Sequence, residues 1–164
     1  MNVGGTGKLP MSDLKKICDQ AGFDRIETYI ASGNVVFEST APPLAVKAEL
    51  ATRLRSYAGK EVGVIVRTAA EMARVLAANP FAGADPKQSY VIFLDAPPPA
   101  DALGRVSSRQ DEELRLGERE IYVHYPSGMG RSKLRIHAAK TGTARNINTV
   151  SKLVEIASGR SNVP

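Results

Sequence analysis

The order and spacing of the apolar residues predict an α+β protein of two ferredoxin-like (β-α-β-β-α-β) halves with mainly antiparallel sheets. The first strand of the first half is missing, and an extra helix closes the chain. Three observations carry this expectation. Met11, Leu14, Ile17, Cys18 and Ala21 recur at helical spacing, whereas 25–30 alternates with Ile26, Thr28 and Ile30 on one side. Read onward, the first 67 residues give α-β-β-α-β, and the chain from Tyr90 gives roughly β-α-β-β-α-β followed by a helix. Glycine, proline and asparagine punctuate nearly every junction. The compact solution for such an order is the split β-α-β unit. The expected division is 1–67 for the first half, 68–87 for a linking helix and loop, 88–158 for the second half with its terminal helix, and 159–164 for a tail.

Pro10 suits the start of the first helix and Gly22 its stop. Ala31-Ser32-Gly33-Asn34 turns the chain between 25–30 and a returning strand, Val35 to Glu38. Pro42 and Pro43 open a second helix with Val46, Leu50, Leu54 and Tyr57 on its buried side, and Gly59 ends it. Val62, Val64 and Val66 mark another strand. Thr68 to Glu71 reads as a capping box for a third helix striped by Met72, Val75 and Leu76, stopped by Asn79-Pro80. Tyr90 to Leu94 is an apolar run typical of a buried strand, and a weak helix is expected over Ala100 to Val106. Glu113 to Leu116 and Glu120 to Tyr125 form a hairpin about Gly117. Ser132 to Ala139 is expected to be helical and Ala144 to Ile147 a short strand. Val150, Leu153, Val154 and Ala157 mark the last helix, capped by Asn148 or Thr149.

The missing strand matters physically. In the usual strand order it lies centrally, so without it Val62 to Val66 has no neighbour joining it to the hairpin. Each buried, unpaired backbone group costs on the order of 1–3 kcal/mol, too much for a marginally stable domain. A late start at Met1 is the expected resolution, because Asn2-Val3-Gly4-Gly5 reads as a strand-to-helix loop. Another segment filling the slot is the alternative.

The chain has no apolar run near the ~20 residues of a membrane span and no secretory core at MNVGGTGKLP. Its one cysteine, Cys18, excludes an internal disulfide and sits on the apolar side of a helix, so it reads as a small buried hydrophobe. A cytoplasmic location, with no membrane partner, follows by elimination. The net charge of +5 is uneven. Residues 1–130 hold 15 Lys/Arg and 16 Asp/Glu, whereas 131–164 hold 7 Lys/Arg and only Glu155. Such asymmetry points to an anionic partner, a phosphate-bearing ligand or nucleic acid; a solvated basic face is the alternative.

No catalytic set is complete. His124 and His137 lack metal-ligand spacing, and neither a metal nor a cofactor is expected. Asn2 to Lys8 resembles a phosphate loop, but Asn2 replaces its first glycine and Leu9 its magnesium-binding hydroxyl. The better candidate is Gly128-Met129-Gly130-Arg131-Ser132-Lys133, where a permissive backbone, a helix start and two cations favour phosphate. A plain glycine turn is the competing reading. Arg145, Asn146 and Asn148 form a second polar cluster, able to line the same pocket or simply to cap the last helix. His124 and Tyr122 are auxiliary candidates, as a general base or structural histidine and as a stacking surface.

Several segments, in order along the whole chain, carry a resemblance. NVGG, YIASGNVVF at Tyr29 to Phe37, ANPF at Ala78 to Phe81, YVHYPSGMGRSK and TARNINTVSKL together resemble the bacterial "domain of unknown function 1697" family. The resemblance implies a small cytosolic α+β protein with ferredoxin-like halves and no established activity, so it carries over no catalytic residue. Such proteins typically have a hydrophobic strand ahead of NVGG. Ile147 stands where tryptophan is common, which weakens a stacking role there.

Overall fold

The computed structural model describes residues 9–29 and 33–160. Among these, four α-helices and mostly antiparallel sheets make an α+β protein that separates into two compact units. The first takes the described residues to Thr68 and the end of the last helix from Ile156, and the second is Ala69–Glu155.

In the first unit, α1 (Met11–Gln20) follows Pro10, whose extended backbone cannot continue a helix backward and whose carbonyl accepts the Asp13 and Leu14 amides. Its apolar face buries Leu14, Ile17 and Cys18. Strands β1 (Asp24–Tyr29) and β2 (Asn34–Glu38) pair antiparallel, with a bulge after Asp24 where Arg25 takes φ 51°. Helix α2 (Pro43–Ala58) buries Val46, Leu50, Leu54 and Ala58 into the same core, where Phe23 and Phe37 stack. Tyr57, expected inside, is 45% exposed. Its hydroxyl has a stronger pull outward, donating to Asp13, and Ala58 takes the buried place. The strand expected at Val62 to Val66 does not form. Those valines are half-buried against the core, but no strand among the described residues pairs with them. An extended segment without a ladder partner is not a strand, which is the difficulty the element order raised. The NVGG loop lies outside the described residues.

The second unit is built on a four-stranded antiparallel sheet. Its strands are β3 (Ser89–Phe93), β5 (Glu113–Leu116), β6 (Glu120–His124) and β8 (Thr143–Asn146), ordered β5-β6-β3-β8. Ile92, Leu94, Leu114, Ile121 and Val123 form the core of one face. The alternate residues turn the other way, so Tyr122 lies opposite Val91 and His124 opposite Ser89. There the Tyr122 hydroxyl donates to the Val75 carbonyl, in the last turn of α3 (Ala69–Ala77).

Two expected helices are absent here. Ala100 to Val106 holds a 3-10 turn at Ala102–Gly104 and enters β4 (Val106–Ser107), since Pro97 to Pro99 supply no amide donors and Gly104 adds backbone freedom. Ser132 to Ala139 is β7 (Arg135–Ile136), paired with β4, followed by a 3-10 turn at His137–Ala139. Leu134 and Ile136 lie two apart, and both pack on the sheet core together with Leu103 and Val106. That period suits an extended chain and not a helix. Helix α4 (Ile147–Arg160) starts before its expected caps and continues through Gly159. The cap is Asn146, whose Oδ1 accepts the Asn148 amide at 2.8 Å.

Candidate functional site

The segment after β6 is fixed from beneath. Gly128, at φ 88°, lets the chain reverse, and its amide donates to the Tyr125 carbonyl at 2.9 Å. The Arg131 and Ser132 amides close a 3-10 turn on Gly128 and Met129. Ser132 then turns inward: its hydroxyl donates to Glu112 Oε1 at 2.7 Å and accepts the Leu134 amide. Glu112 is itself 4% exposed and also takes the Gln110 amide at 2.6 Å. The Ser132 bond first, then the backbone, hold its carboxyl below the ordinary range despite burial. One residue earlier, Asp111 accepts from Ser127 at 2.5 Å.

This geometry corrects the phosphate cradle expected at Gly128, Gly130, Arg131, Ser132 and Lys133. No α-helix begins there, the amides of Gly128, Arg131 and Ser132 are already donated, and the serine hydroxyl serves a carboxylate. What the segment does present is an alternation. Arg131, Lys133 and Arg135 are exposed, while Ser132, Leu134 and Ile136 are half-buried. Among the described residues none of the three cations has an ion-pair partner. Arg135 was overlooked as a site residue, although the strict one-in-two alternation of cations from Arg131 to Arg135 is visible in the sequence. Glu112 was overlooked as well, and nothing local marks it out from Asp111 and Glu113 beside it.

The second cluster is spent on structure. Arg145 donates to Thr143 Oγ1 and the Ala144 carbonyl, both at 2.8 Å, and burial lowers its pKa below the usual arginine value. Asn146 Nδ2 donates to the Pro86 and Lys87 carbonyls at 3.1 Å while its oxygen caps α4, which leaves Asn148 as the capped residue. His124 Nδ1 lies 3.2 Å from Ser89 Oγ, and its ring lies 5.7 Å from that of Phe81. Tyr122 is buried, and its hydroxyl is pushed up to about 12 by burial and then by Glu120. Neither is a free surface group. Cys18 is fully buried and its thiol is raised to about 11.

A shallow groove of about 500 Å³ in the first unit is lined by Arg25, Ile26, Glu27, Ile156 and Gly159, none of them an expected site residue. No cluster of metal-binding side chains occurs among the described residues, and no helix there is long and apolar enough to cross a membrane.

Fold and site together define an α+β protein with two antiparallel-sheet units and a cationic strip, without an assignable reaction. The chain belongs to the family described as "Protein of unknown function (DUF1697)", whose profile matches residues 1–122. A similar solved structure is that of the conserved bacterial protein SP0830 from Streptococcus pneumoniae. It is 21% identical, with a TM-score of 0.78 over 96% of this chain and 93% of that one. No curated protein sequence matches.

Proposed function

We propose that this protein binds a phosphate-bearing linear polyanion through Arg131, Lys133 and Arg135. The observation that carries the reading is the exposure of three successive outward cations without carboxylate partners, on a segment pinned by Leu134, Ile136 and Ser132. Unpaired cations on a fixed backbone bind anions without first breaking ion pairs or ordering the chain. Glu112 lies behind the strip and not on it, so its charge is met by Ser132 and the Gln110 amide. The second cluster, Arg145, Asn146 and Asn148, belongs to β8 and the start of α4 and makes no ligand contact of its own.

Three further parts belong to the same reading. The second unit follows the ferredoxin-like strand plan, with 3-10 turns and two-residue strands where that plan has helices; the order β5-β6-β3-β8 supports this. The first half to residue 67 and the second from 88 to 158 derive from that one plan. The location is cytoplasmic, consistent with a lone buried thiol.

Fluorescence anisotropy with a labelled single-stranded oligonucleotide tests the binding. Three phosphate contacts predict a log K against log salt slope of about −2. Replacing Arg131, Lys133 and Arg135 together by alanine should abolish that slope. Binding that is absent at low salt, or unaffected by the triple substitution, sinks the proposal.

A further inference from the structure

We infer that the strip takes the phosphodiester backbone of a single-stranded nucleic acid and leaves its bases unread. This rests on the polyanion reading and narrows it to one partner. In an extended chain, residues two apart project from the same side at a repeat of ~6.7 Å, so Lys133 and Arg135 stand one repeat apart, with Arg131 just before them at the end of the 3-10 turn. The backbone at Ser132 (ψ 137°) and Ile136 (φ −111°, ψ 108°) is extended, and the exposure alternates without a break from Arg131 to Ile136. A row of point charges at that repeat suits a flexible chain with one charge per unit.

Reading a base requires a polar side chain, arginine included, held by the fold in a fixed direction toward its edge, or an aromatic face to stack on. The strip offers neither. Its outward side chains are two arginines and a lysine that no hydrogen bond or ion pair among the described residues holds in one direction, and its one hydroxyl, Ser132, is turned inward to Glu112. Every phenylalanine and tyrosine of the second unit is committed to packing, and the exposed His137 lies past the end of the strip, in the next 3-10 turn. Phe81, Phe93 and Tyr122 are buried, and Tyr90 and Tyr125 meet edge to face at 5.6 Å. Arg115 lies over the Phe81 ring at 6.0 Å. Contacts to phosphate alone fix position and carry no sequence information.

The test uses the full chain and three labelled strands of equal length: oligo-dT, oligo-dA and an abasic deoxyribose-phosphate strand. The expected result is binding of all three within about threefold, with a common salt slope of about −2. Oligo-dT or oligo-dA binding tenfold or more tighter than the abasic strand overturns this inference and leaves the polyanion reading standing. Failure of all three to bind at low salt removes both. The triple alanine variant, with unchanged circular dichroism, should lose all three strands to the same degree; selective loss of one overturns the inference.

Discussion

Glu112 and Tyr122 show how single side chains close the second unit. Glu112 joins the loop before β5 to the turn after β6 through Ser132, and its lowered pKa is a statement about stability. A carboxylate depressed in the folded state contributes above its ordinary value of 4.5, and that contribution fades as pH falls through the folded value. Glu112→Gln should therefore lower the urea midpoint at pH 7 and cost progressively less as the pH drops below 4.5. An equal loss at both ends of that range would show that charge is irrelevant there. Tyr122 acts on α3, whose last carbonyls have no partners within the helix. Its hydroxyl reaches the Val75 carbonyl at 2.8 Å, so Tyr122→Phe should cost about 1–2 kcal/mol in chemical denaturation. With the phenol raised to about 12, the native state keeps its advantage below the ordinary value of 10 and loses it as pH climbs toward 12. A midpoint unmoved by the substitution would deny the capping role.

At the level of elements, close approach and pairing decide what each segment tolerates. Gly142 enters β8 so near β3 that an added Cβ would lie 2.8 Å from the Phe93 carbonyl oxygen and from Leu94. Gly142→Ala should destabilise by about 1–3 kcal/mol, and a neutral result would mean the strand entry shifts freely. Helices α1 and α2 and the β1-β2 and β5-β6 hairpins were legible because apolar periods of 3.6 and 2 are local signals. Ser132 to Ala139 was misread because Ala138 and Ala139 favour a helix, while the period-two set of Leu134 and Ile136 decides only through contact with the sheet. The polar clusters were visible as clusters, but whether an arginine faces water or its own strand is a tertiary fact. Arg131 and Arg145 look alike in the sequence and differ entirely in their surroundings. Val62 to Val66 is the complementary case, strand-like in pattern yet unpaired among the described residues. Its amides should exchange with deuterium far faster than those of Val91 and Ile92 in the sheet interior; equal protection would reveal a pairing the described residues do not include.

For the molecule as a whole, two compact units share one continuous helix, since α4 gives its residues up to Glu155 to one and those from Ile156 to the other. Charge is uneven along the chain and not between the units: the excess follows residue 130, where the unpaired cations of the strip stand. The first unit holds the sole thiol, wholly covered by α1 and its neighbours and resistant to ionising. A sulfur so placed is a natural clock. Added disulfide reagent can attack Cys18 only during moments when that core swings open, so the labelling rate in native buffer times the opening of the first unit, with no engineered probe required.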